Sequence, residues 1–186
     1  VMTVTVSDDV TAVKGAEAAQ RFLASASKLL GSSLDVETTL SRAAATAVPQ
    51  LADWCRVDLL DEHERLVPAA LAHPEDAPDE HVRLARGTAR LDRADPRSPW
   101  HVIDRGRPIV INDIPGMLRD SGLGDERQVA LANTLDLRSI AIVPMTAGER
   151  TVGILTLATG RSGRRIDAPE VALAMELGRR AGMAVD

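Results

Sequence analysis

The chain of 186 residues has no tyrosine, one phenylalanine and two tryptophans. Only Phe22, Trp54 and Trp100 could stack on a base, and the formal net charge is −5 at pH 7, so neither aromatic content nor charge suits nucleic-acid binding. Cysteine is nearly absent: Cys55 alone excludes an intramolecular disulfide and a cysteine-rich zinc site. No apolar run approaches the ~20 residues of a membrane-spanning helix. Val1–Thr11 also lacks the basic start and apolar core of a secretion signal. These absences point to a cytoplasmic protein. Lysine is scarce as well, two against twenty arginines, which together with abundant alanine suggests a GC-rich bacterial genome.

What the chain has is apolar patterning: 45% of its residues are hydrophobic, enough for the core of one domain. The densest stretch is Arg138–Gly160, where two apolar runs, Ser139–Met145 and Thr151–Thr159, flank a short turn containing Gly148. Both runs are rich in β-branched residues and too short for an ordinary helix, which predicts a β-hairpin. Ile140, Ile142, Val152 and Ile154 alternate with Ala141, Val143, Leu155 and Leu157. Both faces are therefore apolar, and the hairpin belongs mid-sheet, covered on both sides.

Residues 1–15 show no amphipathic pattern and read as a flexible N-terminal tail or linker. From Ala16 to Leu30 apolar residues recur at steps of three and four, predicting a helix that Gly31 ends. A second helix follows, capped by Ser33 or Asp35 and closed by Pro49. Trp54–Leu60 and Leu66–Leu71 alternate as a hairpin with one wetter face. His73–Pro99 is a Pro-, Asp- and Arg-rich excursion with some helix around Asp79–Ala85 and Leu91 among its few apolar residues. Ser98-Pro99 then starts a helix that Gly106 stops. Arg107–Asn112 is a third strand. A loop with Pro115, Gly116, Gly122 and Gly124 leads to a helix over Asp125–Leu135. After the central hairpin, Asp167-Ala-Pro-Glu170 resembles a capping box for a last helix. That helix carries two apolar stripes, one for the sheet and one for a further helix, either Ala16–Leu30 or a partner chain. The order is that of an α+β fold with helices at both ends.

In L-D-L-R-S (Leu135–Ser139), I-A-I-V-P (Ile140–Pro144) and T-V-G-I-L-T-L (Thr151–Leu157), the chain resembles a GAF domain. D-R-G-R-P-I-V-I (Asp104–Ile111) and D-W-C-R-V-D-L-L (Asp53–Leu60) extend the resemblance, which covers residues 16–186 and is of the kind met in actinobacterial signalling proteins. It implies a GAF/PAS-like antiparallel sheet of five to six strands. Terminal helices would lie on one face, and a pocket covered by helices and loops on the other. It also implies a regulatory sensor or dimerisation module that binds an unidentified small ligand or acts structurally. Such a module would pair through its terminal helices and control an output domain in the same full-length chain, such as a PPM-type phosphatase or a histidine kinase.

Candidate chemistry is sparse. Cys55 lies in a predicted strand and is followed by Arg56 rather than the histidine usual beside a bilin-attaching cysteine. One thiol also cannot serve as both catalytic and resolving group of a methionine sulfoxide reductase. His63, His73, His81 and His101 lack metal-ligand spacing. His101, beside Trp100, is the one candidate for a haem ligand in an alternative reading as a haem or redox sensor. Asp58 with Asp61-Glu62, and Asp125-Glu126-Arg127, read as a charged turn and a helix start rather than acid pairs. Arg161–Arg165 reads as a solvated connection, since no phosphate-loop pattern is present. Nothing marks the chain as an enzyme, and the residues name no cofactor. A pocket is the remaining candidate. Ser139, Ala141, Val143, Gly153, Leu155 and Leu157 share one hairpin face, where small side chains would leave room under the helices holding Trp100 and Leu131. Asn112 and Thr134 would add polar contacts. The bulkier face, with Ile140, Ile142, Val152 and Ile154, is expected to carry the terminal helices.

Overall fold

Ser139–Ala147 (β4) and Arg150–Thr159 (β5) form the expected hairpin, with Ala147 opposite Arg150 and Gly148 turning the chain at φ +59°. The left-handed φ is one that glycine adopts without steric cost. The structure, a computed structural model, describes residues 7–30, 35–87, 93–121 and 126–185. Gly31, Ser33, Leu91, Gly122, Gly124 and Asp125 lie outside the described residues. The elements preceding the hairpin are α1 (Ser7–Leu30), α2 (Val36–Ala47), β1 (Trp54–Leu60), β2 (Leu66–Ala72), α3 (Asp79–Arg86), α4 (Pro99–Arg105), β3 (Ile109–Ile111), α5 (Ile114–Ser121) and α6 (Glu126–Thr134). Helix α7 (Ala168–Val185) follows it. The five strands are antiparallel, in the order β2-β1-β5-β4-β3. The hairpin is thus interior to the sheet, as an apolar pair of faces requires.

Two strands of this sheet carry proline. Pro68 lies on the edge strand β2, next to a register shift. Pro144 lies on β4 beyond Ile142, the last residue that β3 pairs. A missing N–H there costs no ladder bond.

One face of the sheet holds the main core. Cys55 and Val57 of β1, Ala141, Val143 and Met145 of β4, and Leu155 and Leu157 of β5 are packed there. Phe22 and Ala26 of α1, Ala43, Ala44 and Ala47 of α2, and Ala174, Leu177 and Ala181 of α7 cover them. Helix α7 lies directly on β4. A Cβ at Gly178 would stand 2.5 Å from the Pro144 carbonyl oxygen, and one at Gly182 would overlap the Thr146 backbone. Arg180 ties α7 to α1 by donating from Nη1 to the Leu23 carbonyl at 2.8 Å, which gives the second stripe of α7 its helical neighbour. Glu176 accepts from both Arg179 and Arg180 at 2.7 Å. The other face is covered by α3, α4, α5 and α6.

Several local signals act as their chemistry dictates. Asp35 caps α2, accepting the Thr38 N–H at 2.8 Å, and the Asp167 N–H donates to Glu170 at 3.2 Å ahead of α7. Two elements differ from expectation. Helix α1 begins at Ser7, so residues 7–15 are helical. Its first turns are favoured by Asp8 and Asp9 near the positive end of the helix dipole, a signal that carries no periodicity. Helix α5 occupies what Pro115 and Gly116 suggest is loop. Proline suits a first helical turn, and the Asp113 carboxylate accepts the Gly116 N–H at 2.8 Å.

Candidate functional site

The hairpin faces carry the opposite neighbours from those expected. Ser139, Ala141, Val143 and Leu155, expected to floor a pocket, are fully buried on the terminal-helix side. Ala141, Val143 and Leu155 belong to the core formed with α1, α2 and α7. Small side chains there let the alanine- and glycine-lined helices approach the sheet backbone. Gly153 follows the same logic across the sheet, since a Cβ on it would collide with the β1 backbone. Ile140, Ile142 and Ile154 face α4 instead. Val152 departs from the alternation: β5 has one extra residue between Met145↔Gly153 and Thr146↔Thr151, and this bulge turns Val152 toward the terminal-helix core.

Two further expected residues have other surroundings. The Asn112 side-chain amide is used twice on one residue, donating to the Ile166 carbonyl at 3.1 Å and accepting the Ile166 N–H at 3.2 Å. It pins the β5–α7 connection to the end of β3. Thr134 is exposed at the end of α6. Leu131 does pack on the side opposite the terminal helices, in a cluster around Trp54 that includes Ala85, Ile114, Leu135 and Ala158. Trp100 is half-buried on α4, with the Arg93 guanidinium 4.3 Å from its ring centroid.

The polar centre of this face is built by two residues on the wetter side of β1. Arg56 and Asp58 sit two apart on β1 and so share a face. Nε of Arg56 donates to both Asp58 oxygens at 2.9 Å, and Nη2 to Oδ1 at 2.6 Å. The Asp58 side chain is only 6% exposed, and a buried carboxylate without such a partner would be strongly unfavourable. Nη1 of Arg56 donates to the carbonyls of Ala85 at 3.1 Å and Gly87 at 2.5 Å. These groups lie at the C-terminal end of α3, where helical carbonyls lack intrahelical partners. Thr156 of β5 stands between Arg56 and Ile142 in the ladder and is half-buried. Asp58 therefore lies in the strand that alternation predicts, and its carboxylate serves a salt bridge with Arg56 rather than the charged turn at Asp61. The signal was an Arg-x-Asp pair in an otherwise apolar strand.

Other reactive side chains are placed without convergence. Cys55 is fully buried in the core, and desolvation pushes its thiol up to about 12, so no thiolate nucleophile forms near neutral pH. The His63 imidazole lies 3.6 Å from Glu62 on the surface, and His73 stacks at 5.7 Å on Trp54. His101 is half-buried on α4. Among the described residues no group of three or more His, Cys, Asp or Glu side chains could hold a metal ion, and no helix is long and apolar enough to cross a membrane.

The profile of the GAF domain family matches residues 33–186. The chain belongs to the GAF family. The fold agrees with solved GAF structures. The GAF domain of a phosphoenolpyruvate-protein phosphotransferase from Coxiella burnetii superposes with a TM-score of 0.67 at 15% identity, covering 90% of this chain and 92% of that one. Free methionine-R-sulfoxide reductase from Neisseria meningitidis, solved with its substrate, gives 0.65 at 17%, covering 99% and 94%. A domain of a putative two-component sensor histidine kinase from Sinorhizobium meliloti gives 0.55 at 14%, covering 78% and 88%. At these identities the likeness is one of fold. No curated protein matches the chain. Within this GAF domain, the candidate ligand side is therefore the face of Arg56, Thr156 and Ile142.

Proposed function

We propose that this GAF domain is the regulatory module of a bacterial, cytoplasmic signal-transduction protein of actinobacterial type. It binds a small ligand on the face carrying Thr156 and relays occupancy, without catalysis of its own, to an output domain in the same full-length chain. A phosphatase or a histidine kinase is the output we favour, and the sensor-kinase domain among the structural neighbours supports that choice. Arg56 and Asp58 neutralise one another, and the rest of the face is apolar, with Trp54 among aliphatic side chains, apart from Thr156. Its chemistry suits a ligand of low net charge with a group that can hydrogen-bond to the Thr156 hydroxyl.

The observation that carries this reading is the contact of α7 with β4. Gly178 and Gly182 bring the helix onto the backbone at Pro144 and Thr146, a few residues along the strand from Ile140 and Ile142 on the opposite face. A ligand that prefers one arrangement of the ligand-side helices can shift β4 and so the position of α7. It does so only by binding the two arrangements unequally. The module pairs through α1 and α7. Native mass spectrometry of protein taken from cells is expected to show a dimer with a small bound mass that Thr156→Val weakens. Bare monomer at all concentrations would overturn the reading.

A further inference from the structure

We infer that α3 is a gate over the ligand-side face and that Arg56 is its latch. The helix has eight residues, too few to be stable alone in water. Its N-cap, Pro78, provides no side-chain hydrogen bond. Asp79, Glu80, Arg83 and Arg86 are exposed, Ala85 is its one fully buried side chain, and half-buried Val82 packs on the same cluster. Apolar anchoring is therefore thin, and what fixes the C-terminal end is the pair of charge-assisted bonds from Arg56 to the Ala85 and Gly87 carbonyls. Arg56 can hold that position because Asp58 fixes the other edge of the guanidinium from within the same strand.

The arrangement gives α3 two discrete states. With the guanidinium bridging Asp58 and the helix end, Ala85 stays in the cluster with Trp54, Leu135 and Ala158. When the two carbonyl bonds break, the Arg56–Asp58 pair persists on β1, so opening leaves no unpaired buried charge. The helix can then lift as a unit and uncover Trp54 and the approach to Thr156. This rests on the proposed ligand side only for what the open gate admits. The motion of α3 is a property of the chain by itself.

Hydrogen–deuterium exchange on the full chain tests it. The wild type is expected to exchange α3 amides faster than those of β4 and β5. Arg56→Lys keeps a positive charge beside Asp58 but lacks the planar fork that reaches both partners. It should speed α3 exchange roughly tenfold while leaving β4 and β5 unchanged. The double variant Arg56→Leu/Asp58→Leu removes both charges together and should open α3 likewise without burying an unpaired charge. In a Trp100→Phe background, acrylamide should quench Trp54 more strongly in both variants. Exchange of α3 in step with the sheet in the wild type, or α3 protection unchanged in both variants, would overturn the latch. Native mass spectrometry reports ligand occupancy separately, so an empty but gated domain and an ungated domain with ligand give different results.

Discussion

Glu176 shows how a single side chain can join two helices. Its carboxyl is lowered to about 2, chiefly by the hydrogen bond from Arg179 and then by that from Arg180, whose other arm reaches α1. Because the folded-state value lies below the ordinary 4.5, the stabilisation is complete above that pH. It is lost as pH falls toward 2. Partial exposure screens the pair, so Glu176→Gln should remove on the order of 1 kcal/mol at pH 7. The same variant should flatten the loss of stability between pH 4.5 and 2, read by urea denaturation at a series of pH values. Residue-scale readings from the sequence succeeded where the chemistry is local, as with the Asp35 cap, and Cys55 took the buried place usual for its type. They failed for Asn112, whose partner is 54 residues away, and for the Arg56–Asp58 salt bridge, since alternation set both residues on the wetter face of a strand without pairing them.

At the scale of elements, α7 on β4 reverses a general rule. Glycine inside an exposed helix ordinarily costs about 1 kcal/mol relative to alanine, so replacing it stabilises. At Gly178 the added methyl would meet the Pro144 carbonyl, and α7 would have to move off the strand. Gly178→Ala is therefore expected to destabilise by roughly 1–3 kcal/mol in chemical denaturation. A gain in stability would show that the helix is not seated on the backbone. Most elements were legible: strand positions, the hairpin and its burial on both faces followed from composition and alternation. Which face met which helices was not, because small residues signal either an empty space or a close approach, and only the partner helices decide. The bulge at Val152 was illegible for a related reason, since strict alternation carries no mark of an extra residue. Helix α5 was hidden behind Pro115 and Gly116, a pair that also reads as a turn.

The whole molecule is unequal on its two sides. The terminal-helix layer has helices of 24, 12 and 18 residues over a continuous core, whereas the helices opposite have 8, 7, 8 and 9 residues over two separate clusters. Short helices depend on their tertiary contacts, so local opening should be concentrated there. Exchange measurements should find α2, α7, β4 and β5 protected longest, and α3 to α6 releasing first. Equal protection on both sides would contradict this asymmetry. The overall α+β architecture was legible from the order of periodic segments, but this imbalance was not, since it depends on how many residues each helix buries. The two sheet prolines bear on how the protein behaves in a crowd. An open strand edge invites another chain to add its own strand and begin a growing ribbon, and a proline ring offers no donor for that addition. Pro68 on the β2 edge and Pro144 on the stretch of β4 beyond β3 each lack the donor such an addition would use, though the short outer side of β3 carries no proline. That leaves the helical side for the proposed pairing through α1 and α7, which would close after two.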